Sequence, residues 1–100
     1  MTMKIKRKRN IHKTAQFRKD VKKAIKQHKD MDLLEFIIDI LADDIPLPQK
    51  YLDHPMKGNR KGFRECHIEP DWLLMYRKID DDVLELLLAR VGSHSELGIG

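Results

Sequence analysis

One hundred residues, 41% hydrophobic and 36% charged, make one soluble domain with room for a modest two-layer core. The single cysteine, Cys66, excludes an internal disulfide and suits a reducing cytoplasm. No apolar run approaches the roughly 20 residues that span a bilayer, and no signal-peptide core follows the basic N-terminus.

The formal charge of +4 is spread unevenly. Lys4 to Lys29 holds twelve Lys or Arg and one acid, Asp20; Asp30 to Asp44 holds six acids and no Lys or Arg. Such a field favours a polyanion on the basic face and leaves the acidic stretch to a basic partner.

Met3 to Arg9 alternates, with Met3 and Ile5 on one side and Lys and Arg on the other. We expect an edge strand there, guarded by lysines; a disordered basic arm is the competing reading. Ile11 to His28 predicts a helix, because Phe17, Val21, Ala24, Ile25 and His28 recur at spacings of three and four. Lys19, Lys22, Lys23 and Lys26 lie on its other side. They are read as RNA-backbone contacts, where each neutralised phosphate releases counterions, against the plainer reading of a solvated face. His12 and His28 fall on this helix and receive no role.

Asp30 is a natural N-cap for a second helix to about Ala42. Its Leu33, Leu34, Phe36, Ile37, Ile38, Ile40 and Leu41 require burial for the most part. Pro46 and Pro48 close the helical region and open a loop to Gly58. Three strands are then predicted: Lys61 to Ile68 by alternation, Trp72 to Ile79 as an apolar run, and Val83 to Val91 after the Asp80-Asp81-Asp82 turn. The expected fold is α+β, in the order β-α-α-β-β-β, an antiparallel meander packed against a two-helix hairpin.

The chemistry concentrates between Tyr51 and Arg77, which hold His54, Lys57, Arg64, His67, Asp71 and Trp72; the tail adds His94. Pro70 sits between His67 and Asp71 and is incompatible with a helix interior. The pair is therefore read across a turn joining two strands. Imidazoles, a carboxylate and fixed cations are what a metal-independent ribonuclease needs. Plain alternatives exist for each: Trp72 as core, His67 as a satisfied sheet residue, Arg64 as a surface partner of Glu65 or Glu85. Cys66 is read as a small buried hydrophobe.

The segments DHPMKGNRKGFRECHIEPDWLLMY and RVGSHSEL, with Ile45-Pro46-Leu47-Pro48 before them, resemble the YafQ-type branch of the RelE/ParE toxins. D-H-P, G-x-R, H-x-E-P-D-W and G-x-H in that order are specific together, and the resemblance covers nearly the whole chain. It implies a RelE-like fold and the toxin half of a type II toxin–antitoxin pair. It further implies a ribosome-dependent endoribonuclease cutting mRNA, and active-site roles for His54, His67, Asp71, Trp72 and His94. Two positions depart from the pattern: Arg60 stands where a tryptophan is often seen, and Leu97-Gly98-Ile99-Gly100 replaces an aromatic after the last histidine.

On this reading His94 is the general acid and His54 or His67 the base, since an unperturbed imidazole titrates near 6.5. Asp71 orients an imidazole or takes the proton itself. Arg64 and Lys57 meet phosphate oxygens, and Trp72 stacks on a base. No cofactor is called for. The expected partners are an antitoxin with an acidic, disordered C-terminal segment, the ribosome and mRNA, with no membrane. Two other classes compete with this one. One is a ParE-like toxin that poisons gyrase by binding, which needs no histidine cluster. The other is a zinc site of the three histidines and Asp71, which lack preorganising helical spacing.

Overall fold

The computed structural model describes residues 8–98. Its elements are β1 (Asn10–Lys13), α1 (Ala15–Lys26), α2 (Met31–Ala42), β2 (His54–Pro55), β3 (Arg64–Glu69), β4 (Trp72–Asp80) and β5 (Leu84–Gly92), with short 3-10 turns at Gln49–Tyr51 and Gly58–Arg60. The strands form one sheet in the order β1-β5-β4-β3-β2. The predicted meander is present, since β3, β4 and β5 pair antiparallel. Among the described residues no helix is long and apolar enough to cross a membrane.

The start of the chain differs from expectation. Residues 3–7 of the expected first strand lie outside the described residues, and Ile11 to Lys13 belong to a strand, not to the helix. This β1 runs parallel to β5, with Ile11 opposite Leu86 and Lys13 opposite Leu88. His12 is accordingly a strand residue whose Nε2 lies 3.1 Å from Glu85. Thr14 then caps α1: its hydroxyl accepts from the Phe17 amide at 2.9 Å and donates to the Ala89 carbonyl at 2.8 Å.

Along α1, Phe17 and Ala24 are buried, whereas Ile25 is 55% exposed. The helix closes at Lys26 with His28 in the left-handed region at φ 57°. The Lys29 amide returns to the Ala24 carbonyl and the His28 amide to that of Ile25, a Schellman closure. Asp30 caps α2 as expected, accepting from the Leu33 amide at 3.0 Å. Leu34, Ile37, Ile38 and Leu41 enter the core with Trp72, Leu74, Tyr76, Leu86 and Leu88. Phe36 is the exception, 51% exposed.

Arg9, assigned in sequence to the exposed basic strand, is buried at 6% exposure. Its guanidinium reaches Asp44 at 2.6 Å and Asp80 at 2.6 Å and donates to the carbonyls of Glu85 and Ile79. Lys78 adds a second cation to Asp44 at 2.8 Å. The Arg9 hydrogen bond, aided by Lys78, holds the Asp44 carboxyl far below the usual carboxylate range. This network ties the end of α2 to β4 and β5 at the sheet end away from the histidines. A carboxylate depressed on folding contributes stability above its unfolded pKa of 3.8 and loses it as pH falls below that value. Asp44→Asn should therefore cost about 1–3 kcal/mol at neutral pH, and the cost should shrink on acidification below about pH 4. Urea unfolding of both proteins across that range measures this.

Candidate active site

Four segments deliver side chains to the other end of the sheet. Strand β2 pairs His54 directly with Glu65 of β3, an added edge strand inside what the sequence suggested was loop. Alternation along β3 puts Glu65 and His67 on one face. A two-residue turn, Pro70-Asp71, joins β3 to β4, with Glu69 opposite Trp72, so the expected strand-turn-strand placement of His67 and Asp71 holds. The chain leaving β5 then brings in His94.

The three imidazoles form a row. The His67 ring centroid is 6.2 Å from that of His54 and 5.5 Å from that of His94. Asp71 Oδ1 accepts twice from His94, from the backbone amide at 2.9 Å and from ring Nδ1 at 2.6 Å. Those two bonds from His94 lower the Asp71 carboxyl below its ordinary value. An ionised carboxylate only accepts, so Nδ1 of His94 carries a proton and Nε2 is left out of this bond. Of the two roles open to Asp71, this geometry is that of an orienting group.

His54 is fixed through the same ring nitrogen. Its Nδ1 lies 2.7 Å from the Leu52 carbonyl, which can only accept. Nδ1 is therefore the donor, and Nε2 of the neutral ring keeps its lone pair. Leu52 stands in the left-handed region at φ 50°, a strained position for leucine. Asp53 pins this segment to the sheet, accepting from the Tyr76 hydroxyl at 2.5 Å and from Arg64 Nη2 at 3.1 Å. Burial first, and then the Asp53 carboxylate, push the Tyr76 phenol far above its usual range.

Several assignments change. Trp72 is 1% exposed and part of the core, so it offers no face for base stacking; its place at the start of a covered strand decides this. Arg64 pairs with Asp53 and not with Glu65 or Glu85, yet its side chain remains 39% exposed. Lys57 is exposed on the loop before the Gly58–Arg60 turn. Lys19, Lys22 and Lys26 are exposed on α1, while Lys23 forms an ion pair with Glu96. Asp20, the lone acid of the basic stretch, is nearly buried and binds Arg90 Nε at 2.9 Å and the Val91 amide at 3.1 Å.

Two residues escape the sequence reading. Asp53 figures there only as part of a motif. Glu65 figures as a surface partner, but it is 3% exposed, and Oε1 lies 3.6 Å from Nε2 of both His54 and His67. Its signal is the two-residue spacing to His67. The set brought within metal-binding reach is accordingly His54, Glu65 and His67, with ligand atoms within 4.8 Å of one another. His94 and Asp71, which the sequence placed among the possible zinc ligands, stand outside it.

A small α+β domain of RelE-like architecture with a histidine row at one sheet end is a toxin-type scaffold, and its relatives are of that kind. Residues 9–98 match the model of a family described as bacterial toxin of type II toxin-antitoxin system, YafQ. The chain belongs to that family. It is 44% identical over 90 residues to the mRNA interferase toxin YafQ of Escherichia coli K12, covering 89% of this chain and 95% of that one. The E. coli DinJ-YafQ toxin-antitoxin complex superposes with a TM-score of 0.81 at 43% identity, over 90% of this chain and 97% of that one. A metal-bound toxin from Helicobacter pylori gives 0.81 at 46% identity, over 88% and 97%.

Cys66, between Glu65 and His67, is fully buried. Burial above all pushes its thiol up to about 12. A thiol reagent that modifies the unfolded chain in seconds should leave Cys66 of the folded protein essentially unmodified on that timescale; a colorimetric thiol assay with and without denaturant checks this.

Proposed function

We propose that this toxin is an mRNA interferase: an endoribonuclease that cleaves translated mRNA on the ribosome by metal-independent acid–base catalysis. The observation that carries the reading is the row His54, His67, His94 with Asp71 bonded behind the last ring.

In the reaction, His54 Nε2 accepts the proton of a ribose 2′-hydroxyl, for which the bond from Nδ1 to Leu52 leaves its lone pair available. His67 is the other candidate base, one ring away. The 2′-oxygen attacks the adjacent phosphorus, a 2′,3′-cyclic phosphate forms, and the 5′-oxygen leaves. His94 Nε2 donates the proton that this oxygen takes, and Asp71 holds the resulting ring in its tautomer. Buried Glu65 stabilises a proton arriving on His54 or His67. Arg64 and Lys57 face the phosphate oxygens, where guanidinium donors meet developing charge. Lys19, Lys22 and Lys26 track the RNA backbone.

A cognate antitoxin controls the activity, as the DinJ-YafQ pairing of the E. coli relative suggests. An acidic segment of it fits the basic stripe of α1. The setting is the cytoplasm.

A second reading is favoured by the His54, Glu65 and His67 cluster and by the metal-bound H. pylori relative. Two imidazoles and a carboxylate suit zinc or copper. An ion there would occupy the base's lone pair, so it would inhibit. Cleavage should persist in excess chelator and fall on titration with zinc; activity lost in chelator and restored by metal would reverse the mechanism.

His94→Ala should lower single-turnover cleavage on programmed ribosomes by about 10²–10⁴, the usual worth of a positioned acid. His94→Gln should fare no better, because an amide has no transferable proton. Primer extension on a translated message should show in-frame breaks; intact message with damaged DNA would indicate gyrase. Replacing Lys19, Lys22 and Lys26 together should weaken ribosome association and flatten its salt dependence, by about 0.7–0.9 log units of slope for each phosphate no longer neutralised.

A further inference from the structure

His94 stands on a turn that is built, not loose. Ser93 and Glu96 form a reciprocal pair: the Ser93 amide donates to Glu96 Oε1 at 2.8 Å, and the Glu96 amide donates to Ser93 Oγ at 3.1 Å. This is the S-x-x-E capping arrangement, with His94 as the residue after the cap. The other carboxylate oxygen of Glu96 pairs with Lys23 of α1. Lys23 and the Ser93 amide hold the Glu96 carboxyl down at about 2, so it is ionised wherever the protein works.

A second tie holds the same turn from the loop side. The Arg60 guanidinium donates to the Leu97 carbonyl, and a Cβ at Gly98 would lie 3.5 Å from Arg60 Nη2. Below the turn, Leu97 is 2% exposed. The His94 amide and ring both depend on where this turn sits, because both must reach the one oxygen of Asp71.

We propose that Glu96 is a positioning residue for His94: by closing the reciprocal pair with Ser93 it fixes the turn at the place where His94 meets Asp71. The proposal rests on His94 acting as the acid for its catalytic consequence, but the positioning itself can be read without any cleavage. Glu96 touches neither substrate nor reacting atoms; it acts through the turn.

The test compares Glu96→Ala, Glu96→Gln and His94→Ala in the intact chain. By NMR, the ring ¹⁵N shifts of His94 should report a preference for the Nδ1–H tautomer that the bond to Asp71 fixes. Glu96→Ala should abolish it, and Glu96→Gln, whose amide oxygen can still accept from Ser93, should largely keep it. In single-turnover cleavage Glu96→Ala should lose about 10- to 100-fold with ribosome binding unchanged, as a displacement near 1 Å can do; Glu96→Gln should recover most of that loss. A folded Glu96→Ala protein that retains the wild-type Nδ1–H preference overturns the proposal. So does equal loss in the Gln and Ala variants, which would point to a charge effect of the carboxylate. Wild-type cleavage by His94→Ala would instead remove the acid role, and the His94 ring shifts of the Glu96 variants would still decide on Glu96.

Discussion

One carboxylate sets the geometry on which the rest depends. Asp20 is the single acid among the basic residues from Lys4 to Lys29, and it is turned inward. It receives Arg90 in a two-point contact and the Val91 amide besides. A carboxylate buried there is tolerable only because its charge and lone pairs are met by a guanidinium and a main-chain donor. The contact fixes the rotation of α1 about its axis relative to β5. With Asp20 facing the sheet, Lys19 and Lys23 border a cavity of about 270 Å³ that also touches Trp72, Arg90 and Glu96. The basic stripe and the turn that carries His94 are thus set side by side by an acidic residue.

The two ends of the sheet show how the same interactions serve different ends. At one, Arg9 gathers Asp44, Asp80 and two carbonyls in a satisfied network, and nothing is left over for chemistry. At the other, each polar bond leaves a ring nitrogen unspent: Asp71 engages one ring nitrogen of His94, and Leu52 one ring nitrogen of His54. Asp53 completes the arrangement by holding the β2 edge through Tyr76 and Arg64. A two-residue strand has little hold of its own, so this side-chain anchor is what keeps His54 beside Glu65.

The sequence is most legible where the cause of structure is local. Asp30 announces α2, the proline before Asp71 announces a turn, and alternation outlines β3. It is least legible where a segment's state is set by a distant partner. Ile11 to Lys13 carry helix-like spacing, and only the exposed edge of β5, more than seventy residues away in the register, makes them a strand. Arg9 is unreadable for the same reason. Trp72 and Glu65 are ambiguous in another way: each can be placed on a strand, but which face is covered depends on helices packing from elsewhere. The histidine row itself follows from motif resemblance, while the bonds that engage Nδ1 of His54 and of His94 need coordinates.

The parallel pairing of β1 with β5 has a bearing on biosynthesis. Chains emerge from the ribosome N-terminus first, and segments joined by remote contacts wait for their partners. β1, α1 through Asp20, and the α2 end through Arg9 all close onto residues 79–91. A nascent chain lacking that segment has no β5 for β1 to pair with and no turn to carry His94. The full sheet therefore assembles only once the segment through β5 has left the exit tunnel.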